Sequence, residues 1–356
     1  MTAKAEPERR SATSMRGRLR LDRYGLLQIA LLAMRAGPAL ILLLLIIVVS
    51  LTTPIFFTGR NIGNVFSQTS VIALLALGQL LVIITRGIDL SVGATVALSG
   101  VLGAIVYGHT QSTAVVIAVI VGTGIAVGLV NGLIFVYGRV PHAFIVTLAT
   151  LSIVRGIALW AGNGTLVFGV PGDIQTIGGS TIGFGGGTLN WAPYSIFVVV
   201  ALALACLLLT TRMVWGRWLY MVGGNPEAAR RAGVPTRRVL VTVYVLSGLA
   251  AGVAGLITAG LINGGSPTAG DLSELDSIAA VIIGGAAFAG GRGNVGNALV
   301  GAFTIGVIRN ALNLHNVDPF YQLMAIGVVV LLAVEADVVR GHIEGRVRVA
   351  QAIRQA

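Results

Sequence analysis

The sequence predicts an all-α membrane protein, a polytopic bundle of about ten transmembrane helices with both termini on the cytoplasmic side. Apolar residues make up 55% of the chain and charged residues only 10%, with a mean hydropathy of +0.90. Soluble domains do not reach these values. Stretches with few or no charges recur along the chain, each close to the ~20 residues that a helix needs to cross the hydrocarbon core.

Ten apolar stretches are predicted to span the membrane. They lie at residues 37–57, 65–85, 92–107, 114–136, 143–161, 192–211, 239–260, 274–290, 296–312 and 319–336. A basic N-terminal tail (1–36) precedes this transmembrane domain (37–338), and a second tail (339–356) follows it. Because the basic tail leads into a full-length span, no cleavable signal peptide is predicted. The stretch from Tyr24 to Met34 is predicted to lie along the membrane interface.

Cationic residues are distributed asymmetrically around these spans. With a cytoplasmic N-terminus, 21 of the 24 lysines and arginines fall on the cytoplasmic side, which the positive-inside rule predicts. The span at 274–290 is short and interrupted by Gly284-Gly285, so a re-entrant segment is the alternative there. Without this crossing the four arginines of the C-terminal tail would face outward, which favours a full crossing. The basic charge therefore reflects membrane topology, and no nucleic-acid partner is expected.

Glycines at helical spacing predict close helix packing. Gly124, Gly128 and Gly132 form two overlapping G-x-x-x-G units, and Gly248 with Gly252 forms another. Small residues at this spacing let helix backbones approach closely in lipid.

No catalytic or metal site is predicted, so the chain is not expected to be an enzyme. A phosphate-binding P-loop needs a lysine, and the only lysine is Lys4. Gly291–Gly296 matches G-x-G-x-x-G, but it follows an apolar span rather than a strand and predicts a tight turn. Cys206 is the single cysteine and is predicted to be a core residue. The four histidines are far apart in sequence: His109, His142, His315 and His342.

The polar loop 212–238 predicts a short surface helix. Asn225 is a favourable N-cap, Pro226 suits the first turn, Glu227 complements the helix dipole and Gly233 suits the end. Two interpretations follow. The helix is either an ordinary capped helix within a loop or an element on which a soluble partner protein exerts force.

Polar residues within or beside the spans are candidates for a transport path. Asp89 is costly near the membrane, and it either caps the next helix, together with Ser91, or has a role in the path or its gating. Other polar side chains are predicted to line a path or to bond neighbouring helices: Gln68, Gln79, Asn131 and Arg155.

Several motifs resemble those of known transporters. Glu227-Ala228-Ala229, followed by Arg230 and Gly233, resembles the EAA-type loop through which permeases of ATP-binding-cassette importers dock their ATPase. Five further runs are similar to the ribose/xylose/galactoside permease family, in order over about residues 40–340: 87–93, 223–225, 267–270, 275–281 and 290–293.

This resemblance implies a bacterial inner-membrane sugar importer. The expected partners are a second permease copy, identical or paralogous, a cytoplasmic ATPase, a periplasmic sugar-binding protein and membrane lipid. ATP and Mg would be bound by the ATPase, with no cofactor in this chain. The loops 162–191, with Asp173, and 261–273, with Asp271, are predicted to lie outside, as docking sites for the binding protein or as connectors or plugs.

Two other functions remain as alternatives. A branched-chain amino-acid permease would share the coupling loop and many spans. An ion-coupled secondary transporter would need acidic residues near the membrane midplane, and the sequence offers few. The identity of the sugar is left open.

Overall fold

The computed structural model describes residues 37–182 and 192–355, so the N-terminal tail and its predicted interfacial stretch lie outside the described residues. The helices in these ranges are α1 Gly37–Thr52, α2 Gly59–Ile84, α3 Val92–Thr110, α4 Thr113–Tyr137, α5 Ala143–Ala161, α6 Gly172–Gly179, α7 Ser195–Thr211, α8 Val214–Gly224, α9 Pro226–Arg231, α10 Thr236–Ile262, α11 Ser273–Ile283, α12 Val295–Leu314 and α13 Pro319–Gln355. The strands are β1 Val167–Phe168, β2 Thr181–Ile182, β3 Ala192–Pro193 and β4 Gly264–Gly265. β1 pairs antiparallel with β4, and β2 with β3.

The predicted all-α membrane bundle is confirmed, although the count of ten spans is not. Among the described residues, seven helices are long and apolar enough to cross a membrane. These are α2, α3, α4, α5, α10, α12 and α13. The number rises to eight if α7 and α8, bent by 73°, form one span. α1 has fewer than 18 residues and α11 has 11, so neither reaches the required length.

The predicted span 274–290 is helical only in its first half. α11 ends at Ile283 with Gly284 as its C-cap, and Gly285 follows with a φ of +81°, a conformation that glycine adopts without strain. Three more glycines with positive φ lie between here and α12. The apolar pattern of the segment does not reveal that these glycines end the helix.

The chain nevertheless traverses the bundle between α10 and α12. It first runs beside α3, where Gly265 lies against Gly100 and Gly270 lies against Gly93. Seven residues of helix separate those two contacts, roughly 10 Å at 1.5 Å per residue. After α11, the Gly291 amide donates to the carbonyl of Ile84, the last residue of α2, at 2.8 Å. Segment 264–272 and α11 together therefore replace one continuous transmembrane helix.

Glycines bring α4 and α10 into backbone contact, as their spacing predicts. A Cβ added at Gly124 would overlap the Gly248 carbonyl oxygen, and one added at Gly128 would overlap the Tyr244 carbonyl oxygen. Neither position has room for a side chain. This seam ties α10 to α4 at the centre of the bundle.

We expect Gly124→Ala to lower the thermal stability of the detergent-purified protein, because its methyl group would overlap α10. Overpacking of this kind costs about 1–3 kcal/mol. Gly122→Ala is the matched control, since no atom lies within 4 Å of its added Cβ. Melting curves of the two variants that coincide would contradict a seam at Gly124.

Candidate functional site

α9 is the short surface helix that the polar loop predicts. The Asn225 Oδ1 accepts a hydrogen bond from the Ala228 amide at 3.0 Å, and Pro226 occupies the first turn. Ala229 is buried at 2% exposure, while the residues on either side of it are exposed. Gly233, with a φ of +80°, allows the chain to turn away after the helix. The sequence thus folds α9 as a capped element anchored by one alanine.

The exposed face of α9 is charged. The Glu227 Oε1 lies 3.6 Å from the Arg230 Nη2 and 3.2 Å from the Arg231 Nη2, and all three side chains are more than half exposed. Exposed pairs of this type contribute only ~0.3–0.5 kcal/mol. The caps and the buried Ala229 therefore hold α9 in place, and its charged groups are accessible to a soluble protein.

Asp89 lies at the centre of a buried polar network between α2 and α3. Its side chain is 1% exposed. The Oδ1 accepts hydrogen bonds from the Ser91 amide at 3.0 Å and the Ser91 hydroxyl at 2.7 Å. The Oδ2 accepts from the Ser247 hydroxyl of α10 at 2.8 Å. The carboxylate thus joins the start of α3 to the middle of α10.

Three further helices hold the same non-helical segment, residues 87–91. With its amide oriented to satisfy both groups, Gln79 of α2 pairs with the backbone N–H and C=O of Asp89 at 3.2 Å each. Asn131 of α4 donates to the Ser91 hydroxyl at 2.8 Å, and Thr147 of α5 donates to the Ile88 carbonyl at 3.1 Å. Four of the six predicted path residues therefore meet in one buried network: Asp89, Ser91, Gln79 and Asn131.

Gln68, one of the other two, lies apart from this network. It belongs to an exposed polar stripe on the first half of α2, formed with Arg60 and Asn64 at intervals of four residues. The opposite side of α2 is buried against α12, where Asn61 and Asn310 exchange hydrogen bonds at 3.1 and 2.8 Å. An exposed amide on a membrane helix is unfavourable against lipid, so this stripe requires water or protein beside it.

Arg155 bonds the extended segment 264–272 rather than another helix. Its Nη1 donates to the carbonyls of Pro267 at 2.7 Å and Ala269 at 2.9 Å. The Asp271 carboxylate, 3.8 Å away, is 73% exposed and adds little. Two carbonyls that a helix would have satisfied are thus bonded by a side chain of α5.

An ion pair missed by the sequence reasoning joins α11 to α12. The Arg309 Nη2 lies 2.7 Å from the Asp276 Oδ2, and the Asp276 side chain is only 4% exposed. Asp276 Oδ1 and Arg309 Nε are buried without a partner among the described residues. Each of these charged residues lies within an apolar run, which indicates that it needs a partner. The sequence does not show that the two residues, 33 positions apart, are in contact.

Ser247, the partner of Asp89, was missed because a single serine in an apolar run is common.

The described residues of the two loops that carry Asp173 and Asp271 make contacts with the bundle. Asp173 lies in the first turn of α6 and accepts a hydrogen bond from the Thr113 hydroxyl at 2.9 Å. The β1–β4 pairing joins the first loop to the second. Residues 183–191 of the predicted loop lie outside the described residues. Both aspartates are exposed and accessible to a partner.

Known proteins resemble most of this chain. A family model described as branched-chain amino acid transport system / permease component matches residues 61–334. The ribose import permease protein of Escherichia coli (strain K12) is 41% identical over 297 residues, 83% of this chain and 91% of that protein. The ribose import permease protein of Bacillus subtilis (strain 168) is 38% identical over 310 residues, 85% and 92% of the two chains.

A third relative is named for a different sugar. The L-arabinose ABC transporter permease protein of Azospirillum brasilense is 36% identical over 303 residues, 85% of this chain and 87% of that protein. No solved structure matches the chain. The family match runs from residue 61 in α2 to residue 334 in α13 and thus includes every helix that surrounds the Asp89 network. This multi-pass membrane chain belongs to the branched-chain amino acid transport system / permease component family.

Proposed function

We propose that this chain is the membrane-spanning permease subunit of an ATP-binding-cassette importer for a monosaccharide. The observation that carries the proposal is the identity of 36–41%, over more than four fifths of the chain, to permeases named for ribose and arabinose. The sugar arrives on a periplasmic binding protein and passes through the permease. Separate ATPase subunits supply the energy, because the only lysine, Lys4, cannot form a P-loop.

The ATPase acts on α9 in this proposal. The predicted coupling residues form one capped, exposed element: Asn225, Pro226, Glu227, Ala228, Ala229, Arg230 and Gly233. Its charged face is accessible, and Ala229 anchors it to the bundle. α9 therefore lies on the cytoplasmic side of a bacterial inner membrane. In this proposal both termini lie on the same side. ATP and Mg are bound by the ATPase rather than by this chain.

The outer path runs along the polar stripe of α2. Arg60, Asn64 and Gln68 offer amide and guanidinium donors on a helix surface that lipid does not favour. Sugar hydroxyls exchange hydrogen bonds with such groups as readily as water does, which permits weak binding and release. A second permease copy, identical or paralogous, closes the other side of the path. Asp173 lies on a loop at the periplasmic face, where the binding protein docks, whereas Asp271 belongs to segment 264–272 and lies deeper, beside the start of α3.

The Asp89 network acts as the gate of this path. It fixes residues 87–91 to four helices through buried hydrogen bonds. Opening the path requires α3 to move relative to α10, and this movement stretches the bond between Asp89 and Ser247. Gln79, Ser91 and Asn131 stabilise the closed arrangement.

A branched-chain amino acid is the second candidate substrate, because the matching family is described by that name. The two candidates differ in chemistry. A zwitterionic amino acid presents a carboxylate and an ammonium group, whereas a sugar presents only hydroxyls. The relatives named above favour the sugar.

Reconstitution tests the function directly. The permease is placed in proteoliposomes with its ATPase and its binding protein, and ATP hydrolysis and uptake are measured with ribose, arabinose or leucine. We expect a monosaccharide to stimulate both. Stimulation by leucine alone would favour the second candidate. Uptake that persists with a hydrolysis-deficient ATPase and follows an ion gradient would contradict both.

Thiol accessibility tests the path. In a Cys206→Ala background, which lacks other cysteines, Gln68→Cys is expected to react with a membrane-impermeant thiol reagent added from outside. Bound sugar-loaded binding protein is expected to change the rate. Ile153→Cys on α5, at a position 61% exposed on an apolar surface, is the matched control and is expected to stay unreactive. An inert Gln68→Cys, or one that cross-links two permease copies directly, would contradict the path.

Serine substitutions test the gate. Ser247→Ala removes the donor to Asp89 Oδ2 and so weakens the closed gate; we expect the amount of sugar transported per ATP to fall at least fivefold, with a normal amount of folded protein. Ser99→Ala is the matched control, because within the described ranges the hydroxyl of this buried serine bonds to its own helix, at Val96. Asp89→Asn is expected to act like Ser247→Ala. If expression and uptake remain at wild-type levels in both Ser247→Ala and Asp89→Asn, the gate proposal fails.

A further inference from the structure

Three segments of the chain meet where α2 ends. The Arg86 Nε donates to the Gly223 carbonyl at 2.6 Å, and its Nη2 donates to the Gly224 carbonyl. The Gly291 amide donates to the Ile84 carbonyl at 2.8 Å. This cluster, called the α2 junction, thus joins the end of α2, the end of α8 and the turn before α12.

The backbones at the α2 junction are in direct contact. A Cβ on Gly223 would overlap the Ile84 carbonyl oxygen and would lie 2.8 Å from the Gly291 nitrogen. A Cβ on Gly290 would overlap the Arg86 side chain. The Tyr220 hydroxyl donates a hydrogen bond to the Gly293 carbonyl, in the turn before α12, at 2.8 Å. Because no space separates the segments, they cannot slide past one another without breaking these bonds.

The chain neighbours of Arg86 and Gly224 link the α2 junction to α3 and to α9. Gly224 directly precedes Asn225, the cap of α9. Arg86 directly precedes residues 87–91, which lead through Asp89 into α3. The guanidinium therefore connects the residues that lead into α9 with the residues that lead into α3.

The fold does not depend on this guanidinium. Arg86 has a φ of +66°, and the turn is closed by backbone bonds from the amides of Arg86 to Ile83 at 2.9 Å and of Gly87 to Val82 at 3.0 Å. The Gly291–Ile84 bond and the close contact at Gly223 also involve backbone alone. The Arg86 side chain is exposed, so its removal leaves no cavity.

We propose that Arg86 is the positioning residue that transmits displacement of α9 to the start of α3. The inference rests on the proposed function, in which an ATPase moves α9. When α9 moves, the Gly223 and Gly224 carbonyls move with it. The planar guanidinium holds both carbonyls in a two-pronged geometry, so it draws residues 87–91 along and releases the Asp89 network.

The test uses the complete importer in proteoliposomes, with its ATPase and sugar-loaded binding protein. Arg86→Gly removes the side chain and suits the positive φ, so the backbone turn is retained. Arg86→Lys keeps the charge but loses the two-pronged geometry. Arg139→Gln is the matched control, because Arg139 is also exposed and also has a positive φ, +55°, but lies in the α4–α5 connection.

We expect Arg86→Gly to assemble with the ATPase and to keep basal ATP hydrolysis within twofold, while sugar transported per ATP falls at least tenfold. Arg86→Lys should lie between this variant and the wild type, and Arg139→Gln should match the wild type. An unchanged ratio of sugar to ATP in Arg86→Gly would overturn the inference. Loss of the ATPase from purified Arg86→Gly would also overturn it, because Arg86 would then be a docking contact. If the wild-type complex itself shows no ATP-driven sugar transport, the proposed function fails instead.

Discussion

Hydrocarbon offers no hydrogen bonds, so any part of the chain that is not helical at membrane depth must find its partners within the protein. This chain interrupts its helices at residues 87–91 and 264–272. Gln79 and Thr147 bond the backbone of the first segment, and Arg155 bonds that of the second. The polar residues of the spans are therefore explained in large part by the backbone that they satisfy. Their positions follow from where the helices break.

The two interruptions approach each other on α3. A Cβ added at Gly93 would lie 2.3 Å from both the Glu274 Oε2 and the Gly270 carbonyl oxygen. Gly93 belongs to the first turn of α3, directly after the Asp89 network, whereas Gly270 and Glu274 lie at the start of α11. Since these backbones are in contact, we expect a displacement of α3 to displace the start of α11 as well.

Hydropathy and capping rules predict the elements that depend on local sequence. α5 coincides with its predicted span, and α9 begins at its predicted cap, Asn225. The same rules fail for α11, because hydropathy reports burial in the membrane and not whether the backbone is helical. They also miss the contact between Asp89 and Ser247, which are 158 positions apart. Such a pairing depends on how α3 and α10 pack, and no local pattern encodes it.

The contacts within the bundle differ in how strongly they resist movement. Gly124 and Gly128 lock α4 to α10 through backbone contact that leaves no room for a side chain, so α4 and α10 move together. The interrupted segments are instead held by side-chain hydrogen bonds, which exchange partners at much lower cost than a packed backbone. Because Asp89 is bonded to α10 through Ser247 and to α2 through Gln79, any shift between these helices strains its bonds first. The proposed gate at Asp89 would therefore respond to a shift of α2 or α3 relative to the α4–α10 pair.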